Sequence, residues 1–142
     1  MRAFAIAGSL ALLGLLGIAP PARAADQKTY TAALSAAEET PPGPDGGTGT
    51  ATITIDMAAK SLCYDLSWSK EVGTPTNGHI HKGPKGVSGP IVVQFDVSQP
   101  KGCLQVDGAV LSQIESDPPG YYVNLHNNRY PTGAVRGQLK AS

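Results

Sequence analysis

Gly49-Thr50-Ala51-Thr52-Ile53-Thr54-Ile55-Asp56 alternates residue by residue. Ala51, Ile53 and Ile55 fall on one face, and Thr50, Thr52 and Thr54 on the other. Period-two alternation with β-branched residues predicts a half-buried antiparallel strand. After Met57-Ala58-Ala59-Lys60 the pattern resumes in Leu62, Tyr64, Leu66 and Trp68, which predicts a hairpin. Cys63, Asp65 and Ser67 lie on the face opposite the leucines and aromatics.

The same reading extends in both directions. Residues 28–36 read as an opening strand, and Glu38 to Gly47, rich in proline and glycine, as a loop. Gly73 to Gly89 holds a His-x-His strand and a glycine-rich loop. Pro90 to Asp96 reads as a strand, and Gly102 to Val106 as a short one. Val110, Leu111 and Ile114 have helical spacing, so a single short helix is expected over Gly108 to Ser116, stopped by Pro118-Pro119-Gly120. Tyr121 to His126 and Gly133 to Leu139 close the chain as strands around an Asn127–Thr132 turn. Short strands separated by such turns predict an all-β fold of seven to nine strands. The expected form is an antiparallel, Greek-key-like sandwich or flattened barrel with one short helix. Its expected core is Ile53, Ile55, Leu62, Tyr64, Leu66, Trp68, Ile80, Val123, Leu125 and Val135.

Arg2, the apolar run Ala3 to Ile18 and Ala22-Arg23-Ala24 form a signal-peptide pattern, with cleavage expected after Ala24. The expected domains are therefore a signal peptide over 1–24 and one β domain over 25–142, exported to the periplasm or beyond the cell. No later stretch is apolar enough to span a bilayer. Without Arg2 and Arg23, nine basic residues stand against eleven acidic ones, a net charge of −2. That balance offers no electrostatic footprint for nucleic acid or for a strongly anionic membrane surface. Cys63 and Cys103 are the only cysteines, and an oxidising compartment permits a disulfide between them. A redox pair or a metal thiolate is the alternative, although no Cys-x-x-Cys spacing supports the former.

The three histidines are His79, His81 and His126. If Ile80, Tyr121, Val123 and Leu125 face the core, then His79, His81, Tyr122, Asn124 and His126 face away from it. With Val135 and Leu139 inside, Arg136 and Gln138 also face outward. Adjacent strands about 4.8 Å apart, and same-strand neighbours about 6.5 Å apart, let three imidazoles share one ion. Imidazole ligands suit copper, or less favourably zinc, rather than calcium or magnesium. Arg136 would then be placed to attract an anion. The alternative for His79 or His126 is a bracing hydrogen bond to a loop carbonyl or to a carboxylate, and for Arg136 a structural ion pair. Asn124, Asn127 and Asn128 read as turn-stabilising residues.

Other chemistries find little support. Gly83-Pro84-Lys85-Gly86-Val87-Ser88-Gly89-Pro90 lacks the Gly-Lys-Ser/Thr ending of a phosphate loop and leads into no helix. Nothing resembles a nucleophile elbow, and no close carboxylate pair suggests glycoside chemistry.

His79-Ile80-His81-Lys82-Gly83-Pro84, Gly86-Val87-Ser88-Gly89-Pro90-Ile91-Val92, Tyr122-Val123-Asn124-Leu125-His126 and Tyr130-Pro131-Thr132-Gly133-Ala134-Val135-Arg136-Gly137-Gln138-Leu139 resemble, in order, the CHRD domain. The resemblance spans residues 30–140 and implies an all-β extracellular module, with no settled activity. Ala134 departs from it, standing where that family usually carries glutamate. The His-x-His, a later strand histidine and an arginine also resemble the copper site of copper-zinc superoxide dismutase. That resemblance points to His79, His81, His126 and Arg136. The chain has no fourth histidine for a bridged two-metal centre. Two functions are therefore expected: an exported non-catalytic binding or envelope module, or a mononuclear copper protein with three histidine ligands and superoxide-dismutase-like redox activity. Nothing in the residues names a protein or small-ligand partner.

Overall fold

The computed structural model describes residues 27–142. The expected signal segment 1–24 lies outside the described residues. The opening strand is β1 (Gln27–Ser35), followed after a 3-10 turn by the central hairpin, β2 (Thr48–Asp56) and β3 (Ser61–Trp68). Then come β4 (Asn77–Lys82), β5 (Ile91–Phe95), β6 (Lys101–Gln105), helix α1 (Gly108–Ser116), β7 (Tyr121–His126), β8 (Val135–Gln138) and the short β9 (Lys140–Ala141). The sheet runs β5-β4-β7-β8-β1-β2-β3-β6, with β9 also on β1, and every pairing is antiparallel. The strands form a nearly closed barrel, or sandwich, with β5 and β6 at the two ends of the path. The fold class read from the alternation is the one observed. Among the described residues, no helix is long and apolar enough to cross a membrane.

The inward face of each strand supplies the core. Ile53, Ile55, Leu62, Ile80, Val123, Leu125 and Val135 are fully buried, with Tyr64 and Leu66 beside them. Trp68 departs from the expected core. It is the last residue of β3 and only half-buried, packing on the core's edge and lining an open groove with Leu66, Phe95 and Val97. Helix α1 has the expected limits. Asp107 caps it by accepting a hydrogen bond from the Ala109 N–H, and Leu111 and Ile114 are fully buried. Cys63 and Cys103 are directly opposed on β3 and β6 and form a disulfide, their Cα atoms 4.0 Å apart. The bridge pins a terminal strand of the path, far in strand order from the histidines.

Candidate metal centre

Strands β4 and β7 are immediate neighbours, with His79 opposite Asn124, His81 opposite Tyr122 and Asn77 opposite His126. Since Ile80, Val123 and Leu125 fill the core, the alternation turns His79, His81, Tyr122, Asn124 and His126 to the other face. Strand β8 extends the row, setting Arg136 opposite Asn124 and Gln138 opposite Tyr122.

The side is as the sequence predicts, but the face is not open to solvent. His79 is 8% exposed, His81 9%, Asn124 3% and Arg136 2%. Two loops roof it. The loop over 83–90 is held by Arg136, whose guanidinium donates to the Val87 and Pro84 carbonyls at 3.2 and 3.3 Å. Gln138 adds a bond from Nε2 to the Gly83 carbonyl at 3.0 Å. The loop over 36–47 brings Glu39, 6% exposed, to Asn124, Arg136 and Gly133. Lys85 joins the two loops through an ion pair with Glu38 at 2.8 Å.

The three imidazoles converge. One nitrogen from each of His79, His81 and His126 lies within 4.8 Å of the other two. A shared ion at about 2.0 Å from each then requires inward movements of no more than ~0.8 Å per nitrogen, within reach of small side-chain rotations. Two of the rings are already oriented. His81 Nδ1–H donates to the Gly89 carbonyl at 2.8 Å, and His126 Nδ1–H to the Pro131 carbonyl at 3.0 Å. A carbonyl only accepts, so both rings carry the proton on Nδ1 and present a lone pair on Nε2. His81 Nε2, His126 Nε2 and His79 Nδ1 are buried with no hydrogen-bond partner. Bracing and ligation, opposed as readings of the sequence, are thus compatible: one nitrogen braces and the other remains free, the usual arrangement around a metal-bound histidine.

Electrostatics disfavours the charged forms of His79 and His126. Burial, then the neighbouring His126 and His81, pushes the His79 pKa down from 6.5 to about 4. Burial also lowers that of His126, with a further contribution from His81. Neutral imidazole is the form that binds a metal, so no proton has to leave either ring at neutral pH.

Arg136 joins this assembly structurally. Besides its loop carbonyls it donates to Gln138 Oε1 at 3.2 Å and lies 3.5 Å over the Tyr122 ring. An anion reaches it only by displacing the 83–90 loop. Asn127 stabilises its turn as expected, accepting from the Arg129 and Tyr130 N–H groups at 2.8 Å. Asn124 does not sit in a turn: it is a buried strand residue facing the histidines. Glu39 gave no signal in the sequence, lying in a proline-rich loop remote from every histidine.

The CHRD domain family model matches residues 30–139 of the chain. With that span and this fold, the chain belongs to the CHRD family. No curated protein and no solved structure matches it.

Proposed function

We propose that this chain is an exported CHRD module that binds one copper ion through His79, His81 and His126. The observation that carries the reading is the convergence of three imidazoles, each with a buried, unpartnered nitrogen, within 4.8 Å of one another. Copper is favoured over zinc because it heads the affinity order for nitrogen ligands, and no thiolate competes once Cys63 and Cys103 are bridged. Export is supported by the composition of residues 1–24 and by the disulfide, which persists in oxidising compartments. Binding rather than turnover is supported by Arg136, whose donors are engaged by carbonyls under a loop.

Metal analysis of protein purified from its own export compartment tests this, beside a His79→Ala/His81→Ala/His126→Ala variant. The proposal expects copper near one per chain in the parent and none in the variant. A metal-free parent, or a variant that retains the copper, overturns it.

A further inference from the structure

Four buried side-chain atoms without hydrogen-bond partners belong to this strand face: His79 Nδ1, His81 Nε2, His126 Nε2 and Asn124 Oδ1, with Glu39 Oε1 of the covering loop a fifth beside Asn124. Asn124 is directly opposite His79 on the neighbouring strand and two residues from His126 on its own, on the face that both share. Its amide interacts with His79 on one side and with Glu39 on the other. Beside a carboxylate, the NH2 end of the amide is the end that turns toward Glu39. The oxygen is left for the histidine side.

An unsatisfied buried acceptor carries its full desolvation penalty, so four together call for a common partner. With the His79 proton on Nε2, the tautomer that leaves Nδ1 free to ligate, they cannot satisfy one another, because the protons of His81 and His126 are fixed on Nδ1. A single water has two protons to donate and leaves two of the four unmet. One cation satisfies all four, and four is the usual coordination number of a closed site with nitrogen and oxygen ligands.

We propose that Asn124 Oδ1 is the fourth ligand of the ion, completing a three-nitrogen, one-oxygen site. This rests on the copper-binding reading above. Four neutral ligands leave the charge of the ion uncompensated in its own shell. The Glu39 carboxyl beside the Asn124 amide, which also interacts with Arg136, then supplies a counter-charge outside that shell.

The test combines a metal-loaded crystal structure of the parent with copper competition titrations and electron paramagnetic resonance of two variants. In the loaded parent, Asn124 Oδ1 is expected about 2.0–2.2 Å from the ion. Asn124→Leu is expected to keep one copper on the histidines but to bind it at least about 10–100-fold more weakly, with an altered copper hyperfine splitting. Asn124→Asp, which keeps an oxygen there, is expected to hold copper within about tenfold of the parent. An Oδ1–metal distance beyond about 3 Å, or an Asn124→Leu variant with the parent's affinity and spectrum, overturns the fourth ligand while leaving the three-histidine site standing. A parent that binds no copper overturns both. The parent crystal structure decides the matter even if Asn124→Leu fails to fold.

Discussion

His81 and Tyr122 stack face to face, their ring centroids 4.8 Å apart and their planes 2° from parallel. They are opposed on β4 and β7, and the Arg136 guanidinium also lies over the Tyr122 ring, at 3.5 Å. The Tyr122 hydroxyl accepts the Gly89 N–H at 3.2 Å, while the Gly89 carbonyl accepts from His81. One residue therefore holds a candidate ligand by its ring and that ligand's brace by its hydroxyl.

Tyr122→Phe keeps the stack and loses one hydrogen bond. It is expected to cost about 1 kcal/mol in chemical denaturation and to leave copper affinity near the parent's. Tyr122→Ala removes the ring. It is expected to cost about 3–5 kcal/mol and to weaken copper about 10–100-fold. Equal copper affinity in Tyr122→Ala and the parent would show that the stack does not position His81.

Arg136→Ala frees the Val87 and Pro84 carbonyls from their donor. Backbone amides across 83–90 are expected to exchange hydrogen at least tenfold faster, and proteolysis at Lys85 to speed up. Copper stoichiometry is expected to stay at one per chain, because Arg136 is not a ligand. Unchanged exchange in the loop would contradict the role assigned to the guanidinium.

Glu39 and the histidines pull stability in opposite directions with pH. Burial raises the Glu39 pKa from 4.5 to about 7, against the opposing influence of Arg136 and the Asn124 amide. A raised folded value stabilises fully below pH 4.5, and that stability is lost as pH rises toward 7. His79 is depressed from 6.5 to about 4, so its contribution is present above pH 6.5 and is lost as pH falls toward 4. His126 acts in the same direction as His79. Between pH 4.5 and 6.5 the slopes oppose, and the metal-free parent is expected to show a shallow profile. Glu39→Gln removes one slope, so stability is expected to climb with pH across that window, more steeply by as much as about 1.4 kcal/mol per pH unit. Denaturation midpoints in a pH series decide it. Parallel profiles for the two proteins would refute the assignment to Glu39.

The disulfide lies at the β3–β6 end of the strand path and the histidines on β4 and β7. Cys63→Ala/Cys103→Ala is expected to lose about 2–4 kcal/mol of stability through the freed unfolded chain. Its copper stoichiometry and spectrum are expected to match the parent's. Loss of copper in a variant that remains folded would tie the bridge to the site.

The hairpin over β2 and β3 was legible because threonine and isoleucine alternate without a break, and the helix because Leu111 and Ile114 repeat at helical spacing. The face of each histidine followed from Ile80, Val123 and Leu125 by the same alternation. Its burial did not follow, because the roof comes from 36–47 and 83–90, loops whose paths are set by contacts with Arg136, Gln138 and Tyr122 rather than by local pattern. Alternation puts Asn124 on the correct face, but its residue type predicts a turn role, since asparagine is commoner in turns than in a buried strand. Trp68 was assigned to the core because alternation says nothing about where the barrel wall ends.

On the proposed copper-binding reading, two fasteners of different chemistry hold this barrel. A covalent one joins β3 to β6 at one end of the strand path, and the copper ion proposed above would join β4 to β7 near the other. A thiol reductant would then loosen the first and a chelator the second, each agent slackening the sheet from its own side. The domain's firmness becomes a readout of its surroundings. On that reading it is expected to be greatest where oxidant and metal are both supplied, intermediate where one is missing, and least under reducing, metal-free conditions.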